Sequence, residues 1–146
     1  MEIYQNELDI NEIQKRWYND SKNLNCGALI TFVGIVRDDD GIQALSFDIY
    51  EPLLKKWLQK WQNIAEKDKA KVFFAHSKGD VKVGESSYIA AVLTPQRKIG
   101  LRLINEFVED FKANAPIWKY DVKNGERIYA KNRSQKLSNA GILAKD

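Results

Sequence analysis

Residues 28–36, Ala-Leu-Ile-Thr-Phe-Val-Gly-Ile-Val, form a nearly continuous apolar and β-branched run. Nine residues are too few to cross a membrane, and the pattern reads as a strand buried on both faces. Gly34 interrupts its row of side chains and marks a bulge or a close backbone approach. Arg37-Asp38-Asp39-Asp40-Gly41 follows as a charged turn. Beyond it Leu45, Phe47 and Ile49 alternate with Ser46, Asp48 and Tyr50, which predicts a half-buried strand pairing with the run before the turn.

The remaining segments surround this run with helices and further strands. Met1–Tyr4 reads as a short edge strand. Asp9 can cap a helix over about residues 10–19, with Ile10, Ile13 and Trp17 on one face. Pro52 suits a first helical turn, and Leu54, Trp57, Leu58, Trp61 and Ile64 form a core-facing stripe to about Lys67. Strands follow at Val72–His76 and Ser87–Leu93, with Gly79 and Gly84 bracketing a turn or small hairpin. Ile99, Leu103, Ile104, Phe107, Val108 and Phe111 predict a second long helix, which Pro116 ends near Ala113 or Asn114. Trp118, Tyr120 and Val122 share a strand face, Asn124-Gly125 is a two-residue hairpin turn, and Arg127–Ala130 returns. There is no internal repeat or linker. The expectation is one α+β domain over residues 1–133, with a tail over 134–146 that is mobile or ordered by a partner.

The chemical inventory is narrow. One Cys and one His exclude a disulfide framework, a Cys-rich zinc site and a multi-His metal centre within one chain. No metal or cofactor is expected. Neither a membrane span nor a secretory leader is evident, so a soluble, cytoplasmic protein is expected. Charge is uneven, with 12 Lys/Arg against 14 Asp/Glu before residue 95 and 11 against 6 from there on. The excess lies mainly in Lys112, Lys119, Lys123, Arg127, Lys131, Arg133 and Lys136. Such an end suits an anionic ligand or an acidic partner, or is simply a solvated face.

Lys112 closes a predicted helix and Lys119 begins a strand, with the stiff Asn114-Ala115-Pro116 turn between them. A chain reversal there would bring two ammonium groups toward one pocket, where repulsion and burial would depress a pKa and permit proton transfer or attack on a carbonyl. Against that, a Lys at a helix C-terminus complements the dipole, and one in a hairpin is usually solvated. Arg37 follows the apolar run and Arg97 precedes a helix, so either could fork onto a phosphate. Arg37 could equally pair with Asp38–Asp40. Cys26 and His76 lack the local signature of a nucleophile and its base, and read as a small buried thiol and a hydrogen-bonded imidazole.

Together, Phe32-Val33-Gly34-Ile35-Val36-Arg37, His76-Ser77-Lys78-Gly79 with Val83-Gly84-Glu85, and Lys112-Ala113-Asn114-Ala115-Pro116-Ile117-Trp118-Lys119 resemble the large, catalytic subunits of molybdopterin synthase. The resemblance spans roughly residues 25–133 and is most specific in the last string. It implies an α/β hammerhead fold with an additional antiparallel β subdomain, and a homodimer within a heterotetramer. It implies a small ubiquitin-like partner whose C-terminal Gly-Gly thiocarboxylate donates sulfur to cyclic pyranopterin monophosphate, two rounds giving the dithiolene of molybdopterin. By position, Lys112 matches the lysine beside the partner's terminal carbonyl. Lys119 matches a second pocket lysine, and Arg37 and Arg97 match substrate-binding arginines. Gln96 stands where the family commonly has histidine; it can donate a hydrogen bond but cannot titrate near neutral pH. Nucleic acid and membrane are not expected partners under this reading. Two other readings are a basic module for single-stranded RNA, with Tyr120 and Tyr129 stacking bases beside Lys123 and Arg127, and a catalytically dead relative kept for assembly.

Overall fold

Strand Lys71–Lys82 (β4) is the spine of the structure, a computed structural model that describes residues 1–130. Its first half pairs antiparallel with Ser86–Thr94 (β5), Val72 opposite Val92 and His76 opposite Tyr88. Its last residues pair antiparallel with Ala44–Ile49 (β3), Val81 opposite Leu45. Glu2–Gln5 (β1) lies parallel to the middle of β4, Ile3 opposite His76. Ala28–Ile35 (β2) borders β5, and Ile117–Lys123 (β6) and Glu126–Tyr129 (β7) continue from β3. The order is β2-β5-β4-β3-β6-β7, with β4 common to a helix-covered half and a smaller antiparallel half.

Alternation along β4 and β5 builds two cores on opposite faces of the first half. Val72 and Phe74 with Tyr88, Ala90 and Val92 meet helices Glu51–Lys67 (α2) and Arg97–Asn114 (α3). Phe73 and Ala75 with Ile89, Ala91 and Leu93 meet Ile13 and Trp17 of Ile10–Ser21 (α1). The α2 stripe is buried as its spacing predicts, through Leu54, Trp57, Leu58, Trp61 and Ala65, with Ile64 packed partly buried against the same core. Asp9 caps α1 by accepting from the Glu12 amide at 3.1 Å. Among the described residues no helix is long and apolar enough to cross a membrane.

Three expectations are corrected. β2 is an edge strand with β5 as its neighbour, and its faces are only partly covered: Ile30 packs against one core and Leu29 and Val33 against the other, while Phe32 and Ile35 remain 38% and 64% exposed. β3 does not pair with β2. The Val36 amide and carbonyl bond Glu85 and Gly84, and the Val83 amide bonds Gln43, so residues 37–43 wrap the tip of the β4–β5 hairpin and deliver β3 to the far side of β4. Gly79 is inside β4 rather than bracketing the turn. Its φ of +81° occurs where β4 passes from its β1 and β5 pairing to its β3 pairing, beside the Gln5 and Asn6 side chains. The hairpin Asn124-Gly125 has both φ values positive, as a type I′ turn needs. The domain boundary at residue 133, the tail, and Lys131, Arg133 and Lys136 lie outside the described residues.

Candidate active site

The two halves of the sheet enclose a cleft of about 690 Å3. Lys112 reaches it from the last turn of α3. Helix α3 stops because Pro116 cannot continue it: Ala115 is extended, its amide bonding the Phe111 carbonyl at 3.2 Å, and the Ile117 amide bonds the Ala115 carbonyl at 2.8 Å. This reversal feeds β6, where Lys119 lies opposite Phe47 of β3 and lines the same cleft. Arg37 enters from the end of β2, its Nε donating to Asp39 at 3.1 Å, with its side chain 84% exposed at the cleft mouth. The pairing with an aspartate is therefore present, and Arg37 lines the cleft at the same time.

The floor is aromatic. The Tyr88 ring is 2% exposed and packs against Phe111 at 4.4 Å, Phe32 at 5.6 Å and His76 at 5.8 Å. Gly34 makes room for it, since a Cβ there would stand 2.5 Å from a Tyr88 ring carbon. The Lys112 ammonium lies over the Tyr88 and Phe111 rings, 5.2 and 5.6 Å from their centroids. Lys112 keeps an exposed flank, but desolvation of its ammonium in the cleft lowers its pKa from the ordinary lysine value. His76 is buried, and desolvation together with the nearby Lys112 charge lowers its pKa to about 4 against the favourable hydrogen bond to the Ser77 carbonyl. It is neutral at physiological pH, and its Nδ1, 2.7 Å from that carbonyl, carries the proton.

Lys112, Lys119 and Arg37 thus converge. Gln96 and Arg97 do not line this cleft. Gln96 precedes α3 and bonds through its backbone carbonyl to the Thr94 hydroxyl at 2.7 Å, and Arg97 is exposed in the first turn. Fifteen residues of helix separate Arg97 from Lys112, about 22 Å at 1.5 Å per residue. Tyr88 and the cleft-lining position of His76 escape sequence reasoning; the available signal is a lone Tyr in an otherwise small-residue and aliphatic strand, with Gly34 directly opposite it on the neighbouring strand. Cys26 lies just before β2, near the Lys69 carbonyl at 4.0 Å, at the opposite end of the sheet from His76, so the two do not form a pair. On the terminal hairpin Tyr120 and Tyr129 pack edge to face, and Arg127 covers Tyr120 at 4.1 Å while bonding Asp48 at 2.9 Å. Those groups hold one another, which leaves little of the stacking platform an RNA module needs. Among the described residues no group of three or more His, Cys, Asp or Glu side chains could hold a metal ion.

A mixed α+β domain with a lysine-and-arginine cleft over an aromatic floor is the class this geometry defines. The chain matches the MoaE protein family over residues 3–114. It is 48% identical to the molybdopterin synthase catalytic subunit of Helicobacter pylori strain 26695, across 99% of each chain. Among solved structures, the complex of subunits 1 and 2 of the molybdopterin-converting factor from Helicobacter pylori 26695 contains a chain superposing with a TM-score of 0.91, at 48% identity and 97% coverage of each. Molybdopterin synthase from Staphylococcus aureus superposes with a TM-score of 0.75 at 22% identity, over 88% of this chain and 94% of that one, a likeness of fold. The chain belongs to the MoaE family, and it is an enzyme subunit of the molybdopterin synthase kind.

Proposed function

We propose that this chain takes sulfur from the C-terminal thiocarboxylate of a small ubiquitin-like partner and transfers it to cyclic pyranopterin monophosphate, forming the molybdopterin dithiolene in two rounds. The single observation that carries the reading is the convergence of Lys112, Lys119 and Arg37 on one cleft. Sulfur arrives with the partner, so the chain needs no reactive cysteine, and Cys26 lies away from the cleft. Lys112, with its pKa lowered, sits where it can polarise the tail's carbonyl or hold a proton as the acyl–sulfur bond is cleaved by water. Lys119 and Arg37 supply cations for the anionic pterin.

In this reading the protein forms a homodimer within a heterotetramer, acts in the cytoplasm, and a second copy supplies Gln96 and Arg97 to the substrate site. Gln96 would serve there as a hydrogen-bond donor, with no proton to exchange. The test is reconstitution of the purified chain with thiocarboxylated partner and cyclic pyranopterin monophosphate. Molybdopterin is the expected product, and Lys112→Ala should abolish it while leaving the circular dichroism spectrum and melting temperature unchanged. Full activity in that variant would remove Lys112 from the mechanism.

A further inference from the structure

Among the described residues the Lys112 amine has no counter-anion. Its pKa is lowered by desolvation alone. The charged and titratable groups around the cleft are Arg37 and Asp39 after β2, His76 on β4, Lys119 on β6 and Glu109 on its own helix. What meets the ammonium directly is the face of Tyr88, with Phe111 beside it. The tyrosine ring cannot swing away: His76 stacks on it at an interplanar angle of 12°, Phe111 lies 4.4 Å from it, Phe32 covers it, and the missing side chain at Gly34 is filled by its edge. Its hydroxyl is buried, and among the described residues it has no hydrogen-bond partner.

We propose that Tyr88 is a positioning residue for Lys112, its clamped ring face fixing the lysine's amine in the cleft by a cation–π contact that takes the place of a carboxylate. A carboxylate partner would stabilise the ammonium strongly and remove the amine from proton transfer. A ring face holds the ammonium in place with a weaker attraction and excludes water from one side, so the amine stays titratable. The role assigned to Lys112 above supplies the reaction; the contact itself is a property of the structure and can be measured without that reaction.

The decisive experiment retains the shape of the ring and changes its electrons. Tyr88→Phe is made first, followed by fluorinated phenylalanines of increasing fluorine content at position 88, in the full-length chain. The rate of Lys112 acylation by an amine-selective ester is followed against pH by peptide mass mapping, with thermal melting as the check on folding. Tyr88→Phe should retain the wild-type profile. Each added fluorine weakens the negative ring face, so the profile should move stepwise to lower pH and labelling at pH 8 should rise, by about threefold or more across the series. A profile indifferent to fluorination overturns the proposal, as does a Tyr88→Phe profile displaced from wild type, which would assign the effect to the hydroxyl. Sulfur transfer is measured on the same proteins. A graded labelling profile with no sulfur transfer even by the wild type would retire the functional reading and leave the positioning role standing.

Discussion

Asp110 of α3 accepts the indole N–H of Trp57 of α2 at 2.8 Å, and the same oxygen accepts from Trp61 at 2.7 Å. Its other oxygen accepts from Asn114 at 2.6 Å. One carboxylate therefore ties the middle of α2 to the last turn of α3, two residues before Lys112. Asp110→Ala would leave two partly buried indole donors without partners and should cost about 2–4 kcal/mol by urea unfolding. Asp110→Asn, which retains an acceptor, should recover more than half of that. Equal losses in the two variants would mean that the indole bonds contribute little.

Gly34→Ala places a methyl against the Tyr88 ring. Overpacking of this kind costs about 1–3 kcal/mol. Because the displaced ring carries Lys112, sulfur transfer should fall further than the stability loss accounts for. Assaying at a temperature where the variant is fully folded separates the two effects, and unchanged turnover there would contradict the coupling.

His76 gives stability a pH dependence of defined sign. Its pKa is about 4 folded against 6.5 in the ordinary case, so between those values the unfolded chain binds a proton that the folded chain refuses. Stability is therefore retained above about pH 6.5 and falls as pH drops toward 4, by on the order of 3 kcal/mol in total. Glu2 adds a second window. Burial alone would raise its pKa, but bonds from Arg16, Tyr4 and Trp17 bring it to about 2, so its contribution is lost as pH falls from 4.5 toward 2. Urea titrations across pH 2–8 should resolve both slopes, and His76→Phe should erase the upper one only.

A site shared between copies predicts complementation. Lys112→Ala and Arg97→Ala, each inactive alone, should regain about a quarter of wild-type activity when unfolded together and refolded at equal concentration, because half the dimers then hold one intact site of two. No recovery would place Arg97 outside the catalytic site of the partner copy.

The sequence was most legible where structure is local. The Asp9 cap, the Leu54-to-Ile64 stripe, the Pro116 stop and the Asn124-Gly125 turn each depend on neighbours within a few residues, and each is found as expected. The strand pairing was not legible. Whether β3 meets β2 or β4 depends on residues 37–43 wrapping the β4–β5 tip, and no spacing within β3 encodes that. The cleft divided in the same way. Lys112, Arg37 and Lys119 were visible as chemistry flanking a turn or strand end, whereas Tyr88 is a strand residue whose importance comes from Gly34 and Phe111, 54 positions before it and 23 after it.

The division of the cleft between two halves of one sheet has a consequence for inactivation. Lys112 belongs to the half clad by α2 and α3, while Lys119 is on β6, near the end of the sheet, with the four-residue β7 beyond it. Fraying that starts from this border can withdraw Lys119 while the amides of β4 and β5 stay protected from exchange. If Lys119 serves the reaction as proposed, activity is expected to fall on warming before the cooperative transition, and an activity profile that follows the calorimetric one would show that the hairpin does not set it.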